Sequence, residues 1–197
     1  MRLMQVKRLW LILFFLTIAG GCTQPVKKHM SRLQQSGLAS IQSWEAQGRG
    51  SYRSGKDGGG FSFDLNVSSQ RTHLKVWSNL AGKSIDVVIL DDVVQVEQGD
   101  QLRLYRSVEA FSELELGWDV GFDQVLYYVR GLIPEDAGLD VSYNGSILEA
   151  SNKEIEYKAE RFKSFCGQDV PTKIKLIHKE TSRLVLVVKK WHLGCEV

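Results

Sequence analysis

The sequence predicts a mainly β protein: a curved antiparallel sheet of about ten strands, with short helices inserted near its middle. Three observations predict it. Through most of the chain after Gln47 the apolar residues repeat at a period of two. Phe61, Phe63, Leu65 and Val67 alternate with Ser62, Asp64 and Asn66, as in a strand with one buried and one wet face. Turn residues punctuate these runs at short intervals. The interior carries strong helical spacing only over Ser107 to Tyr128. A sheet this wide curls. With one apolar face and few helices to cover it, the sheet is expected to wrap around something greasy.

The chain begins with Arg2, Lys7 and Arg8 and no acid, followed by the apolar run LILFFLTIAGGCT, Leu11 to Thr23. A positive head, an apolar middle and a small-residue exit predict a secretory signal peptide over 1–21. The run is shorter than the roughly 20 apolar residues that span a bilayer. Its exit, Ala19-Gly20-Gly21-Cys22, resembles a bacterial lipobox, with Ala19 where Leu is preferred. The resemblance implies that Cys22 is diacylated and becomes the first mature residue; the alternative is an ordinary signal with a chance cysteine. Thr23, where an inner-membrane lipoprotein of Gram-negative bacteria carries Asp, points to the outer membrane. Residues 22–31 are polar, include Pro25 and read as a tether. Residues 32–197 are expected to form one domain with a single core.

Three of the 25 Lys and Arg lie in the leader, which leaves 22 against 23 Asp and Glu and a net charge near −1. Without a basic stripe or an RNA-binding motif, nucleic acid is not an expected partner.

Ser31 to Trp44 places Leu33, Leu38, Ile41 and Trp44 at helical spacing, predicting a short amphipathic helix. A strand opens at Gly48–Arg53, and Lys56-Asp57-Gly58-Gly59-Gly60 reads as a turn. Strands follow at Phe61–Val67, Thr72–Trp77, Ser84–Leu90, Val93–Gln98 and Gln101–Tyr105. Asp91-Asp92 and Gly99-Asp100 are read as turn chemistry rather than paired catalytic acids. Ser107 is the expected N-cap of a first helix, with Glu109 in its first turn; a second runs from Phe122 to Gly131, with Pro134 beyond as a stop signal. Strands resume at Leu139–Tyr143, Ser146–Ala150, Glu154–Lys158, Pro171–Ile177 and Leu184–Leu193, with Asn144-Gly145 as a hairpin turn.

Cys166 and Cys195 are an even pair once Cys22 is set aside, and they are not spaced for zinc. Folding the last hairpin about 179–182 puts 178 opposite 183, so paired positions sum to 361, as do 166 and 195. A disulfide closing that hairpin is expected, with two free thiols as the alternative.

No catalytic set emerges. His29, His73, His178 and His192 are scattered, and no HExxH, GxSxG or P-loop pattern occurs, so an enzyme, a metal centre or a cofactor is not expected. The informative residues are apolar. Leu80 sits at a loop tip between Asn79 and Gly82, either aimed at a membrane or partner or folded back into the core.

Taken in order, these features resemble the LolB family. Cys22 and the strand opening at Trp44 to Gly48 begin the match. Ser78-Asn79-Leu80-Ala81-Gly82 corresponds to the family's Asn-Pro-Leu-Gly-like loop, with Asn79 in place of Pro. Tyr128-Val129-Arg130-Gly131-Leu132-Ile133-Pro134 matches the run that ends the family's second helix. Pro171, Ile174, Leu176 and Val187-Val188-Lys189-Lys190-Trp191 match its end. Asp64-Leu65 stands where members often carry Trp.

The resemblance implies an incomplete, half-open antiparallel β-barrel of about ten to eleven strands with a lid of short helices, and an apolar cavity for acyl chains. The residues expected to form cavity and lid are Phe61, Phe63, Leu65, Val76, Ile85, Val87, Phe122 and Leu126. Leu80 takes the place of the family's protruding, membrane-inserting residue. The implied protein is a monomer anchored in the outer membrane by Cys22 and facing the periplasm. It would accept client lipoproteins from a LolA-type periplasmic carrier and insert them among outer-membrane phospholipids. A non-transferring lipid-binding lipoprotein or an envelope-stress sensor on the same sheet is the alternative.

Overall fold

The computed structural model describes residues 37–78, 82, 84–91, 93–112, 114 and 121–195. The leader, Cys22, the tether and Leu80 lie outside the described residues.

Six strands pair in succession: β1 (Trp44–Ser54), β2 (Asp57–Val67), β3 (Thr72–Trp77), β4 (Ser84–Leu90), β5 (Val93–Gln98) and β6 (Gln101–Tyr105). Among the described residues two α-helices follow, α1 (Val108–Phe111) and α2 (Phe122–Arg130), and then a 3-10 turn at Glu135–Ala137. Then come β7 (Asp140–Tyr143), β8 (Ile147–Ser151), β9 (Ile155–Glu160), β10 (Lys163–Phe165), β11 (Gln168–Val170), β12 (Lys173–His178) and β13 (Ser182–Leu193). Eleven strands form one antiparallel sheet in the order β6-β5-β4-β3-β2-β1-β13-β12-β9-β8-β7, while β10 and β11 pair apart from it. The edges β6 and β7 do not meet, so the barrel is incomplete, as expected.

Side chains alternate across this sheet. One face carries Trp44, Ala46, Leu65, Phe63, Leu74, Val87 and Val96 on one side of the molecule, and Leu186, Ile174, Leu176, Tyr157, Ala159, Leu148 and Ala150 on the other. It is the buried inner face. The opposite face is charged and includes the pairs Lys158–Glu149 at 2.8 Å and Lys173–Glu160 at 3.1 Å. On β1 the inner positions beside Phe61 and Phe63 are Gly50 and Gly48; a Cβ on Gly50 would run into the Phe61 ring, so the glycines let both rings lie across the strand. A bulge on β13 opposite Gln47/Gly48 shifts the register between Lys190 and Val188 and keeps Trp191 and Val188 both facing inward.

Several sequence expectations need correction. The helix expected over Ser31 to Trp44 is helical only at 37–39 among its described residues, and Trp44 opens β1. Pairing with Leu193 and Val67 and packing on Trp191 at 5.7 Å draw Trp44 into the sheet. Gly58, Gly59 and Gly60 belong to β2; the turn is Gly55-Lys56, with Gly55 at φ 57°. The turn at Asn144 falls on Gly145-Ser146, and the Asn144 side chain accepts from the Ser146 and Ile147 amides at 3.1 and 2.9 Å. In the last hairpin His178 pairs with Ser182, one residue off the expected register, around a loop in which Lys179 and Glu180 adopt φ 48° and 56°.

The β10–β11 hairpin has no counterpart in the sequence reading. Its turn is Cys166-Gly167, both at positive φ, and Cys166 is disulfide-bonded to Cys195 with Cα atoms 6.4 Å apart. The bond therefore ties this small hairpin to the chain after β13. It does not close β12 onto β13.

Antiparallel pairing sorts the connections onto two rims. The turn at 55–56, the 78–83 connection, the Gly99-Asp100 turn and the 179–181 loop share one rim. The start of β1, the end of β13 and the turn at 68–71 share the other.

Candidate functional site

The apolar inner face needs a cover, and the chain between the two free edges supplies it. This segment leaves β6 at Tyr105 and enters β7 at Asp140, on opposite rims, so it crosses the mouth of the curved sheet. Ser107 caps α1 by accepting from the Ala110 amide at 3.2 Å. A hydrogen bond from its own backbone amide, with a second from the Ser107 hydroxyl, holds the Glu109 carboxyl below the usual range. Ser112 donates to the Val108 carbonyl at 2.8 Å and accepts from the Phe122 amide at 3.1 Å, so one hydroxyl joins the two helices. Gly131, at φ 84°, ends α2 in a Schellman motif: the Leu132 amide donates to the Tyr127 carbonyl and the Gly131 amide to that of Tyr128.

Two apolar clusters lie beneath this cover. The smaller joins Val87, Val94 and Val96 to Phe111 and Phe122, whose rings meet edge-on at 5.9 Å. The larger runs from Phe63 and Leu65 across β1, β13 and β12 to Tyr157 and Leu148, under Tyr128 and Val129. Leu74 and Leu126 pack against both clusters and join them.

The eight expected cavity and lid residues fall in this one region. Phe63, Leu65, Val87 and Phe122 are buried, each at most 5% exposed. Phe61, Val76, Ile85 and Leu126 are half-buried around them. Among the described residues, Tyr128, Val129, Val125 and Leu126 of α2 pack on the larger cluster and Phe122 on the smaller. Two surface grooves lie elsewhere, one over Glu45, Gln47 and Lys190 on the outer face and one beside the β1–β2 turn.

The sequence reading missed the residues that seat the lid. Tyr157 is fully buried, stacks on Tyr128 at 5.1 Å and donates its hydroxyl to the Tyr128 carbonyl at 2.8 Å. Burial pushes the Tyr157 phenol far above its ordinary range, and burial with the nearby Asp136 charge raises that of Tyr128. Arg130, in the last turn of α2, is also buried. Its Nη1 donates to the Leu38 and Ile41 carbonyls at 3.3 Å each, and its guanidinium lies over Trp44 at 5.4 Å and Tyr127 at 5.3 Å. Burial lowers its pKa. It ties the lid helix to the segment that enters β1. The only sequence signal for this role was a basic residue within an otherwise apolar helix end.

This arrangement offers burial and no reactive constellation among the described residues: it can exchange one set of apolar contacts for another. A family model described as "Outer membrane lipoprotein LolB" matches residues 42–191. Among curated relatives, the outer-membrane lipoprotein LolB of Cellvibrio japonicus is 27% identical, covering 95% of this chain and 98% of its own. That of Pseudomonas paraeruginosa is 26% identical over 87% and 82%. Two solved structures share the fold. A LolA superfamily protein from Nitrosomonas europaea has a TM-score of 0.53 at 10% identity, covering 80% of this chain and 89% of its own. A putative outer membrane lipoprotein-sorting protein domain from Vibrio parahaemolyticus has a TM-score of 0.54 at 7% identity, over 84% and 91%.

Proposed function

The chain belongs to the LolB family, and from that premise we propose that it is an outer-membrane lipoprotein that accepts acylated clients from a LolA-type carrier under its helical lid and passes them to the membrane. One observation carries this reading: a continuous apolar sheet face roofed by two short helices that are held mainly by side-chain burial.

The energetics are compatible with exchange. Phe122, Leu126, Tyr128 and Val129 on α2 each gain about 1.5–3 kcal/mol from burial, or roughly 6–12 kcal/mol together. A client acyl chain of about sixteen carbons gains on the order of 12 kcal/mol at about 0.8 kcal/mol per methylene. An entering chain can therefore offset displacement of the lid, and the lid can close again when the chain leaves. Transfer needs no ATP if each successive site binds the chain more tightly. Phe61, Val76 and Ile85 are the assigned first contacts, since they are only half-buried at the loop-bearing rim.

Leu80, in the connection that leaves that rim, is assigned to membrane insertion, and Cys22 to the lipid anchor facing the periplasm. The test is reconstitution with a carrier loaded with a triacylated client. Wild-type protein should strip the client and deliver it to liposomes. The Leu80→Glu variant should strip it equally well but deliver it poorly. Delivery at the wild-type rate by Leu80→Glu would overturn the insertion role, and failure of the wild type to strip the carrier would favour a non-transferring lipid-binding protein.

A further inference from the structure

On the outer face, at the same rim as the 78–83 connection, Arg53 on β1 lies directly opposite Arg183 on β13. Directly opposed side chains have Cβ atoms about 4.5–5.5 Å apart, and like charges so placed repel. Arg49 lies four residues back along the same face, and Lys175 on β12, opposite Val185, sits diagonally from Arg183. Lys56 adds a further charge on the adjoining turn, in a groove that Arg53, Arg183, Tyr52 and one acid, Asp57, also line. Elsewhere on this face Lys75 pairs with Asp86 at 3.3 Å, Lys158 with Glu149 and Lys173 with Glu160, while Lys190 stands apart near the other rim. Among the described residues, Arg49, Arg53, Lys175 and Arg183 have no carboxylate partner.

The sheet beside them is bare. The β2 residues opposite Arg53 and Ser51 are Gly58 and Gly60, so no side chain screens the arginines from that side. Exposed Val187 lies among the cations, and Tyr52 is 46% exposed at the groove. The patch is open and shallow rather than enclosed, with charge interleaved with apolar surface. That suits an array of anionic groups over a greasy layer better than a single small anion.

We infer that this patch is a headgroup-docking site: Arg53 and Arg183, with Lys56, Arg49 and Lys175 around them, take the phosphates of an anionic phospholipid surface and hold the loop-bearing rim against the acceptor bilayer. The inference rests on reading the protein as a membrane-docked acceptor. It adds the lipid class and the residues that orient the molecule.

The test uses the whole mature chain carrying Cys22→Ala, so that the anchor does not supply the binding. Vesicles of phosphatidylcholine are compared with vesicles that also contain phosphatidylglycerol. Binding should require phosphatidylglycerol and weaken as salt shortens the screening length. Arg53→Gln/Arg183→Gln should weaken it about 30-fold, on the scale expected for two surface cations, and Arg53→Lys/Arg183→Lys should retain most of it. Equal binding to both vesicle types, or no loss in the double glutamine variant, overturns the site. Loss of carrier binding in that variant with vesicle binding intact also overturns it, in favour of a protein partner. Client uptake from a loaded carrier is measured on the same preparations. Absence of uptake by the chain with its arginines intact would overturn the transfer reading without touching the vesicle result.

Discussion

The phenol of Tyr157 sits fully buried beneath α2 and donates to the Tyr128 carbonyl at 2.8 Å. Burial makes its anion unfavourable in the folded state, and Tyr128 is shifted in the same direction. An unfolded tyrosine loses its proton near pH 10. Above that pH the unfolded chain therefore holds fewer protons than the folded one. The stabilisation is fully present below about pH 10 and is lost as pH rises beyond it, by about 1.4 kcal/mol per pH unit for each such tyrosine. Tyr157→Phe should remove one tyrosine's share of this slope, at a cost near pH 8 of about 1 kcal/mol for the lost hydrogen bond. Urea midpoints measured at pH 8 and at several values above 10 test this; an unchanged alkaline slope in the variant would contradict it. Nothing in the sequence singles out Tyr157, and Arg130 is visible there only as part of the run that ends α2, without its partners. Tyr157 occupies an ordinary alternating strand position, and the carbonyls that Arg130 meets, those of Leu38 and Ile41, are about ninety residues away in the chain.

At the scale of elements, the disulfide holds β10–β11 against the end of β13, closing a loop with a sequence separation of 29. Val170 on β11 is fully buried in the larger cluster, and Gly131 at the end of α2 packs against Pro171, so this hairpin supports the lid's C-terminal end. Cys166→Ser/Cys195→Ser should cost about 3 kcal/mol by loop-closure entropy. Amide exchange should rise at 163–170 and at the end of α2 while remaining slow in β1 and β13. Uniform acceleration through the central strands would show that the bond secures the sheet rather than this support.

Strands such as Thr72–Trp77 and Val93–Gln98 were legible to the residue, because their alternation is clean and turn residues flank them. The β2 boundary was not, because three consecutive glycines in an edgewise-paired strand look like a turn when no partner is visible. The last register slipped by one because Lys179 and Glu180 take left-handed backbone without a glycine to announce it. The pairing of Cys166 with Cys195 came from that slipped register, and the structure joins the two through a different hairpin. The inner face could be read from parity alone; the contact between Tyr128 of α2 and Tyr157 of β9 could not, since nothing local to either residue announces it.

For the whole molecule, the decisive fact is that β1 begins at one rim while the 78–83 connection leaves from the other. β1 has 11 residues and spans about 36 Å. If Cys22 carries the anchor, the loop-bearing rim reaches the same bilayer only when the tether covers a comparable distance. The 15 residues from Cys22 to Gly37 extend to at most about 50 Å, which is sufficient. Deleting residues 23–31 leaves six, a reach of about 20 Å, which is not. The shortened lipoprotein should therefore fold and strip clients from the carrier normally, because the inner face and lid are untouched, yet fail to deliver them to the membrane that holds its own anchor. Replacing the nine deleted residues with an unrelated flexible segment of the same length should restore delivery, since length rather than sequence is what the geometry requires. The measurement is client partition between carrier and proteoliposome for the three versions. Normal delivery by the shortened form would mean that the rim bearing Leu80 does not have to meet the anchoring bilayer.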